Sequence, residues 1–182
     1  MKTLVLFGAA RENGHTKAML NIFLQDLKGE VEIIDAYRTP VEPCKDCRYC
    51  WHKRGCATKD GMQEIYKKVD EADNIVLAAP MYFHNVPGPM KVMLDRFQVY
   101  WAGTVRKDRP EKYIKKGVIL MVGGAPAFTN QFLAGEIVLK GLLHDFAAEC
   151  VGIVAFPDTD RQLVNENGEV KAKLRELAEK LS

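Results

Sequence analysis

Residues 3–16 read Thr-Leu-Val-Leu-Phe-Gly-Ala-Ala-Arg-Glu-Asn-Gly-His-Thr. The apolar run from Leu4 to Phe7 stops at Gly8, and β-formers closed off by glycine read as a buried strand. Beyond Thr16 the spacing changes: Ala18, Met19, Ile22, Phe23 and Leu27 recur at helical intervals, with Gly29 placed as a C-cap. Strand, glycine-bearing loop and helix make one βα unit, and the rest of the chain repeats that alternation. Further strands are predicted at Val31–Ile34, Asn74–Ala79 (broken by Pro80), Val118–Val122 and Val151–Phe156. Further helices are predicted at 61–71, at Pro87–Tyr100 with Pro87 or Pro89 in its first turn, at Gln131–Ala148 and at Glu169–Leu181. Such alternation gives the α/β class with a parallel sheet. Continuously apolar strands fit a sheet covered by helices on both faces.

With 182 residues, 47% hydrophobic and 27% charged, the chain is sized for a single domain over 1–182 with a well-buried core. The charge sum, 26 − 24 = +2, offers no electrostatic footprint for nucleic acid. No apolar run approaches the roughly 18 residues of a membrane span. The first strand also begins too early to leave room for a signal peptide, so neither membrane nor export is expected. Serine occurs once, as Ser182, which removes serine-nucleophile catalysis. Of five cysteines, Cys44, Cys47, Cys50 and Cys56 are crowded together. An odd, clustered set is unlike a secreted disulfide framework and fits a reducing cytoplasm.

In open parallel sheets ligands bind beyond the carboxyl ends of the strands, which here means residues 8–16, 35–60, 80–87 and 123–130. Main-chain N–H groups of the first loop, with the helix N-terminus behind it, make a phosphate site. Arg11 adds a charged fork, and Thr16 or Asn13 a side-chain donor. A plain turn with Thr16 or Asn13 as helix cap accounts for the same residues equally well. The spacing matches neither the dinucleotide fingerprint nor a P-loop. Pro80-Met-Tyr-Phe-His-Asn-Val-Pro87 either lies against a flat ring or packs Met81, Tyr82 and Phe83 into the core. Gly123 and Gly124 let backbone approach something closely. His84 is a donor candidate within the aromatic loop, and His144 is structural in its predicted helix. The run Arg106-Lys-Asp-Arg109 attracts an anion such as the NADPH 2′-phosphate or is a solvated loop. No acid–base residue is assigned.

Residues 36–60 are too long for a simple connection and carry Cys44-x-x-Cys47-x-x-Cys50-x5-Cys56. Three thiols at intervals of three can be aimed at one centre, with the fourth closing the set. Iron–sulfur clusters take four cysteines with repeated two-residue gaps. Zinc takes four as two pairs with a longer spacer, and free thiols with a packing role are the third reading. Lys45, Arg48, Lys53 and Arg54 offset thiolate charge, lower thiol pKa values or solvate the loop, while His52 is a spare ligand. Pro43 fixes where the loop begins, Tyr49 and Trp51 cover it, and Cys150 reads as a small buried apolar residue.

In combination, Gly8, Arg11 and Thr16, Asp60 and Met62, Ala72-Asp73, Pro80 and Tyr82, and Lys91 with Asp95-Arg96 resemble the flavodoxin-like NAD(P)H-dependent FMN reductase family. The specific motifs run to about residue 100. The resemblance implies a flavodoxin-like three-layer sandwich with a five-stranded parallel sheet of order 2-1-3-4-5. It implies FMN along the carboxyl edge, with Arg11, Gly14, His15 and Thr16 at the phosphate. Pro80, Met81, Tyr82, Phe83 and Asn85 would lie at the ribityl chain and ring, and Gly123 and Gly124 at the far side. Lys91 and Asp95-Arg96 would be structural. The chain departs from the family pattern at Ala9-Ala10 (Ser-Pro is usual), at His15 (Asn is common) and at Gly61 (Asp is usual). The cysteine pattern is similar to the iron–sulfur flavoprotein branch, which implies a [4Fe–4S] cluster on Cys44, Cys47, Cys50 and Cys56. Electrons would then pass between NAD(P)H or a protein donor, FMN, and a small-molecule or protein acceptor. A cluster-free FMN/quinone reductase and a non-enzymatic metal-binding or redox-sensing module are the alternatives. The family also implies a homodimer or homotetramer, with Trp51, Tyr100 and Trp101 as interface aromatics.

Overall fold

The structure, a computed structural model, describes residues 1–182. In β1, Lys2–Phe7, successive side chains leave opposite faces of the sheet, so Leu4 and Leu6 enter one core and Val5 and Phe7 the other. β3 (Asn74–Pro80) and β4 (Lys115–Val122) repeat the division. Ile75, Leu77, Ile119 and Met121 lie on the first side, with Val76, Ala78, Val118 and Leu120 on the second. The second core is closed by Met19, Leu20 and Phe23 of α1 (His15–Gln25) and by Leu174, Leu177 and Leu181 of α7 (Gly168–Leu181). Four helices close the first: α3 (Met62–Glu71), α4 (Gly88–Arg96), α5 (Gln98–Arg106) and α6 (Leu133–Asp145). The remaining elements are β2 (Glu30–Asp35), a short α2 (Tyr49–His52) inside the cysteine-bearing loop, β5 (Ala148–Phe156) and a single 3-10 turn at Val164–Glu166.

All strand pairs are parallel and the sheet order is β2-β1-β3-β4-β5. This is the flavodoxin-like three-layer arrangement implied by the resemblance. The chain leaves β1 toward one edge and returns on its other side as β3, so the topological switch lies between β1 and β3. There the Gly8 amide donates to the Ala78 carbonyl at 2.8 Å.

Several boundaries differ from the sequence reading, each for a physical reason. Pro80 does not break β3: it pairs in register with Val122, and the next amide, Met81, donates to the Val122 carbonyl at 2.8 Å. Gly29 is not the cap of α1, which ends at Asp26. At φ +102° it instead admits the Met1 carbonyl, which would sit 2.4 Å from an added Cβ. The helix expected over Pro87–Tyr100 is two helices. Phe97, at ψ 3°, donates to the Leu94 carbonyl at 3.0 Å, and this tightened turn points its ring into the core against Phe146, 4.8 Å between centroids. α6 stops short because Ala147 adopts φ +54°. Cys150 therefore lies inside β5, half-buried, instead of ahead of it.

Candidate functional site

At the switch, the Gly8–Thr16 loop wraps the end of β1 and is closed by the Gly14 amide, which donates to the Arg11 carbonyl at 3.4 Å. Gly14 is the N-cap of α1 and offers no side chain, and no acidic residue stands in the first turn. The first N–H groups of α1 thus lack a side-chain acceptor, and the helix dipole adds partial positive charge at that end. Capping by Thr16 or Asn13, the alternative reading of this loop, is not what the structure shows. Thr16 is buried and His15 partly buried, while Arg11 is exposed. Glu12 pairs with Arg38 at 2.8 Å, joining this loop to the one after β2. The donor set fits a phosphate group.

The loop after β3 folds into a tight turn in which the Tyr82 amide donates to the Asn85 carbonyl at 2.8 Å and the Asn85 amide returns to Tyr82 at 3.2 Å. The two central residues have positive φ, 48° at Phe83 and 66° at His84. Such values suit Asn or Gly and strain bulky residues. The turn carries Phe83 fully into solvent, 99% exposed, and leaves Tyr82 half-exposed. The reading in which Tyr82 and Phe83 pack into the core is thereby excluded; Met81, partly buried, does pack against it. His84 stacks edge-on to Phe83 and to Phe128 of the loop after β4, at 5.8 and 6.0 Å. Burial, and next the neighbouring Tyr82 phenol, push the Tyr37 phenol up, so the loops after β2 and β3 meet at this edge. An added Cβ on Gly123 or Gly124 would meet Gln131 at 2.8 Å or Asp160 at 2.9 Å. Both belong to local structure, and the Thr159 amide donates to the Gly123 carbonyl at 3.0 Å. The turn following β5 therefore closes the far side. Sequence reasoning missed it, although Pro157-Asp-Thr-Asp is a turn signal.

The four cysteines line one small cavity together with Trp51, Gln98, Val99 and Arg96. Cys44 and Cys47 are exposed, and Cys50 and Cys56 partly buried. No three His, Cys, Asp or Glu side chains are gathered in ligating geometry. Arg96 is the residue that sequence reasoning underrated. It is 2% exposed and forms a two-pronged ion pair with Asp60, Nη1 to Oδ2 at 2.6 Å and Nη2 to Oδ1 at 3.0 Å. Nη1 also donates to the Glu42 carbonyl at 2.6 Å, so one side chain holds both ends of the cysteine-bearing segment. Burial works against ionisation of Cys56, but the Thr58 amide and the Arg96 guanidinium outweigh it and hold the thiol below its ordinary range. Burial raises Cys50, and the other three thiols add to that. The Asp60–Met62 and Asp95-Arg96 motifs, separate in the sequence, meet here. Lys91 pairs instead with Asp95 on the exposed side of α4.

Other candidates resolve simply. His52 is exposed, and His144 Nδ1 lies 3.3 Å from the Tyr113 hydroxyl. Both arginines of the basic run are already engaged. Arg106 pairs with Asp108 and donates to the Cys50 carbonyl, and Arg109 pairs with Asp145. These residues wall a cavity of about 370 Å³ at the amino end of the sheet, far from the phosphate loop. Trp51 and Trp101 meet at a tilt, 5.8 Å between centroids and 55° between planes, and Tyr100 is partly buried, its hydroxyl donating to Asp70 at 2.8 Å. Tyr100 thus packs, partly buried, against the first core.

Comparison with known proteins agrees with this geometry. An iron–sulfur flavoprotein of Archaeoglobus fulgidus is 33% identical over 103 residues, 55% of this chain and 47% of that protein, so the match spans about half its length. An iron–sulfur flavoprotein of Methanocaldococcus jannaschii is 31% identical over 150 residues, 80% of this chain and 70% of that protein. Among solved structures, an FMN-dependent NADH-azoreductase of Bacillus anthracis in complex with FMN superposes with a TM-score of 0.66 at 16% identity, covering 100% of this chain and 99% of that one, which shows a common fold. Residues 1–131, which contain the switch-point loop, the cysteines and the strained turn, match the family described as NADPH-dependent FMN reductase. With the sheet order and the uncapped helix at its switch point, that match places the chain in the NADPH-dependent FMN reductase family.

Proposed function

We propose that this chain is an NAD(P)H-dependent oxidoreductase that works through FMN at the carboxyl edge and carries a [4Fe–4S] cluster on its cysteine loop. The observation that carries the flavin reading is the open N-terminus of α1 at the β1/β3 switch, beside a strained turn that presents aromatic residues. Arg11, Gly14, His15 and Thr16 would hold the phosphate. Pro80, Met81, Tyr82, Phe83 and Asn85 would contact the ribityl chain and ring, with Gly123 and Gly124 opposite. When bound, FMN supplies the capacity to accept a hydride and to release electrons singly. The protein's own share is positioning: the Tyr82–Asn85 turn presents main-chain amides and rings at a fixed height, and the loops after β2 and β4 wall the edge from water. No residue is assigned to proton transfer.

The cluster is supported by four thiols around one cavity, a buried cation behind them, and relatives named iron–sulfur flavoproteins. One observation favours a second reading, a cluster-free FMN/quinone reductase: the four thiols stand around the cavity without converging. Anaerobic purification followed by visible spectroscopy and iron, sulfide and FMN analysis decides between them. FMN with matching iron and sulfide supports the proposal. FMN alone, even after anaerobic reconstitution, leaves the cluster-free reductase, and a protein that takes up no FMN removes both. We further propose a homodimer or homotetramer in the cytoplasm. Its basis is Phe83 and Phe128, both exposed and joined through His84, with free cysteines throughout and no helix long and apolar enough to cross a membrane. Sedimentation velocity reads the first of these directly.

A further inference from the structure

A guanidinium carries five N–H donors, and those of Arg96 can be followed one by one. Nη1 donates to the Glu42 carbonyl and to Asp60 Oδ2, each at 2.6 Å. Nη2 donates to Asp60 Oδ1 at 3.0 Å, and its remaining N–H lies between the Thr58 carbonyl at 3.5 Å and Cys56 Sγ at 3.6 Å. The fifth donor, Nε–H, has no partner, and it is the one buried side-chain polar atom in the chain without one. Leaving a buried donor unsatisfied costs about 1–3 kcal/mol, and more for a charged group. A fully buried cation held by so many other contacts is a place where such an orphan calls for an explanation.

The direction of the orphan donor follows from the planarity of the group. Nε and Nη2 share one edge of the guanidinium and their outward N–H bonds run nearly parallel. The Nη2 end of that edge already faces Cys56 Sγ, so Nε–H points to the same side. The guanidinium itself is part of the wall of the cavity lined by Cys44, Cys47, Cys50 and Cys56. Asp46, Thr58 and Gln98 share the lining, but the group nearest this edge besides the Thr58 carbonyl is a sulfur, Cys56 Sγ, with three more thiols around the same cavity.

We propose that Arg96 is a positioning residue for the cluster. It clamps the two ends of the cysteine loop through Asp60 and the Glu42 carbonyl, and it donates its free Nε–H to a sulfur of the cluster held by Cys44, Cys47, Cys50 and Cys56. This rests on the cluster reading above and adds to it a named donor and a consequence. Hydrogen bonds to the sulfurs and nearby positive charge favour the more negative, reduced state and set the cluster potential higher. Arginine stays protonated throughout, so the effect is constant with pH.

The test uses the anaerobically purified holoprotein, grown with ¹⁵N-arginine and reduced, and examined by electron spin-echo spectroscopy. The expected result is a weak ¹⁵N coupling in the wild type that disappears in Arg96→Lys. Lysine keeps the charge facing Asp60 but has no Nε–H edge. Arg96→Lys should also keep its FMN and far-ultraviolet circular dichroism while its cluster midpoint potential falls. A reduced cluster with no arginine nitrogen coupling overturns the inference, as does an unchanged potential in a folded Arg96→Lys. If Arg96→Lys does not fold, labelled Arg48→Lys removes the other arginine lining the cavity: a coupling that survives there supports the inference, and one that vanishes overturns it. A protein that binds FMN but holds no iron after reconstitution overturns the cluster reading itself, which separates the two failures.

Discussion

Asp60 is the residue on which the cysteine loop turns. Burial opposes its ionisation, but the Arg96 guanidinium and the amides of Glu42 and Met62 outweigh that and hold the carboxyl below the usual range. Arg96 has 1% of its side chain exposed and Asp60 14%, so removing the carboxylate strands a buried cation. Asp60→Ala is therefore expected to lose about 3–5 kcal/mol of unfolding free energy, the loss typical of a broken buried pair, as read from urea midpoints at neutral pH. The pH dependence has a definite sign. A depressed folded pKa means the contribution is full above the unfolded value of about 3.9 and is lost as pH falls through the lower folded value. The stability gap between wild type and Asp60→Ala should stay constant from neutrality to about pH 5 and close in stronger acid. A gap that does not change with acid would place the stabilisation elsewhere.

On the proposed reading, two elements at the carboxyl edge trade stability against ligand binding. α1 begins without a side-chain cap because Gly14 occupies that position. Gly14→Asp would supply the missing acceptor, with Arg11 Cβ 3.1 Å from the new Cβ giving way slightly. Its expected effect on the flavin-free protein is a gain of about a few tenths of a kcal/mol. FMN affinity should fall at least tenfold, because a carboxylate then fills the anion site. The Tyr82–Asn85 turn carries the same tension, since Phe83 holds φ 48° and buries nothing in this chain. Phe83→Gly relieves a left-handed strain of about 1–2 kcal/mol, less the extra backbone entropy of glycine, for a net gain of up to about 1 kcal/mol. Binding should weaken several-fold as the turn loses its fixed shape; fluorescence titration with FMN and thermal melts read both effects. If either variant binds FMN as tightly as the wild type, its loop is not at the cofactor. The turn's existence was partly legible, since proline and asparagine bracket it. Its strain was not, because positive φ at Phe83 and His84 runs against the preference of both residues.

At the scale of the molecule, one sheet carries a core on each face, so neither face can be lost without exposing the other. The cysteine loop joins that unit through Arg96 of α4, through Arg106 of α5 and through the tilted Trp51–Trp101 contact. Those two tryptophans report on the loop, while circular dichroism reports mainly on the helices. Their urea transitions should coincide in the flavin-free protein. Loss of tryptophan signal at lower urea than helix signal would instead mark the loop as a separately melting unit.

Element order, the parallel sheet and the gathering of four loops at one edge were determined by the sequence itself, because apolar period and turn chemistry are local signals. The cysteine spacing likewise named the loop to watch. Only the tertiary structure decided how that loop is held. Asp60 and Arg96 lie 36 residues apart, and no periodicity pairs them; the pairing needs α4 to end at Arg96 and Phe97 to turn into the core. The same applies to Gly29, whose positive φ serves the close approach of Met1 and not the end of α1. Contacts of this kind are decided by which surfaces meet after the sheet has formed. That information resides in packing and is absent from any single stretch of the chain.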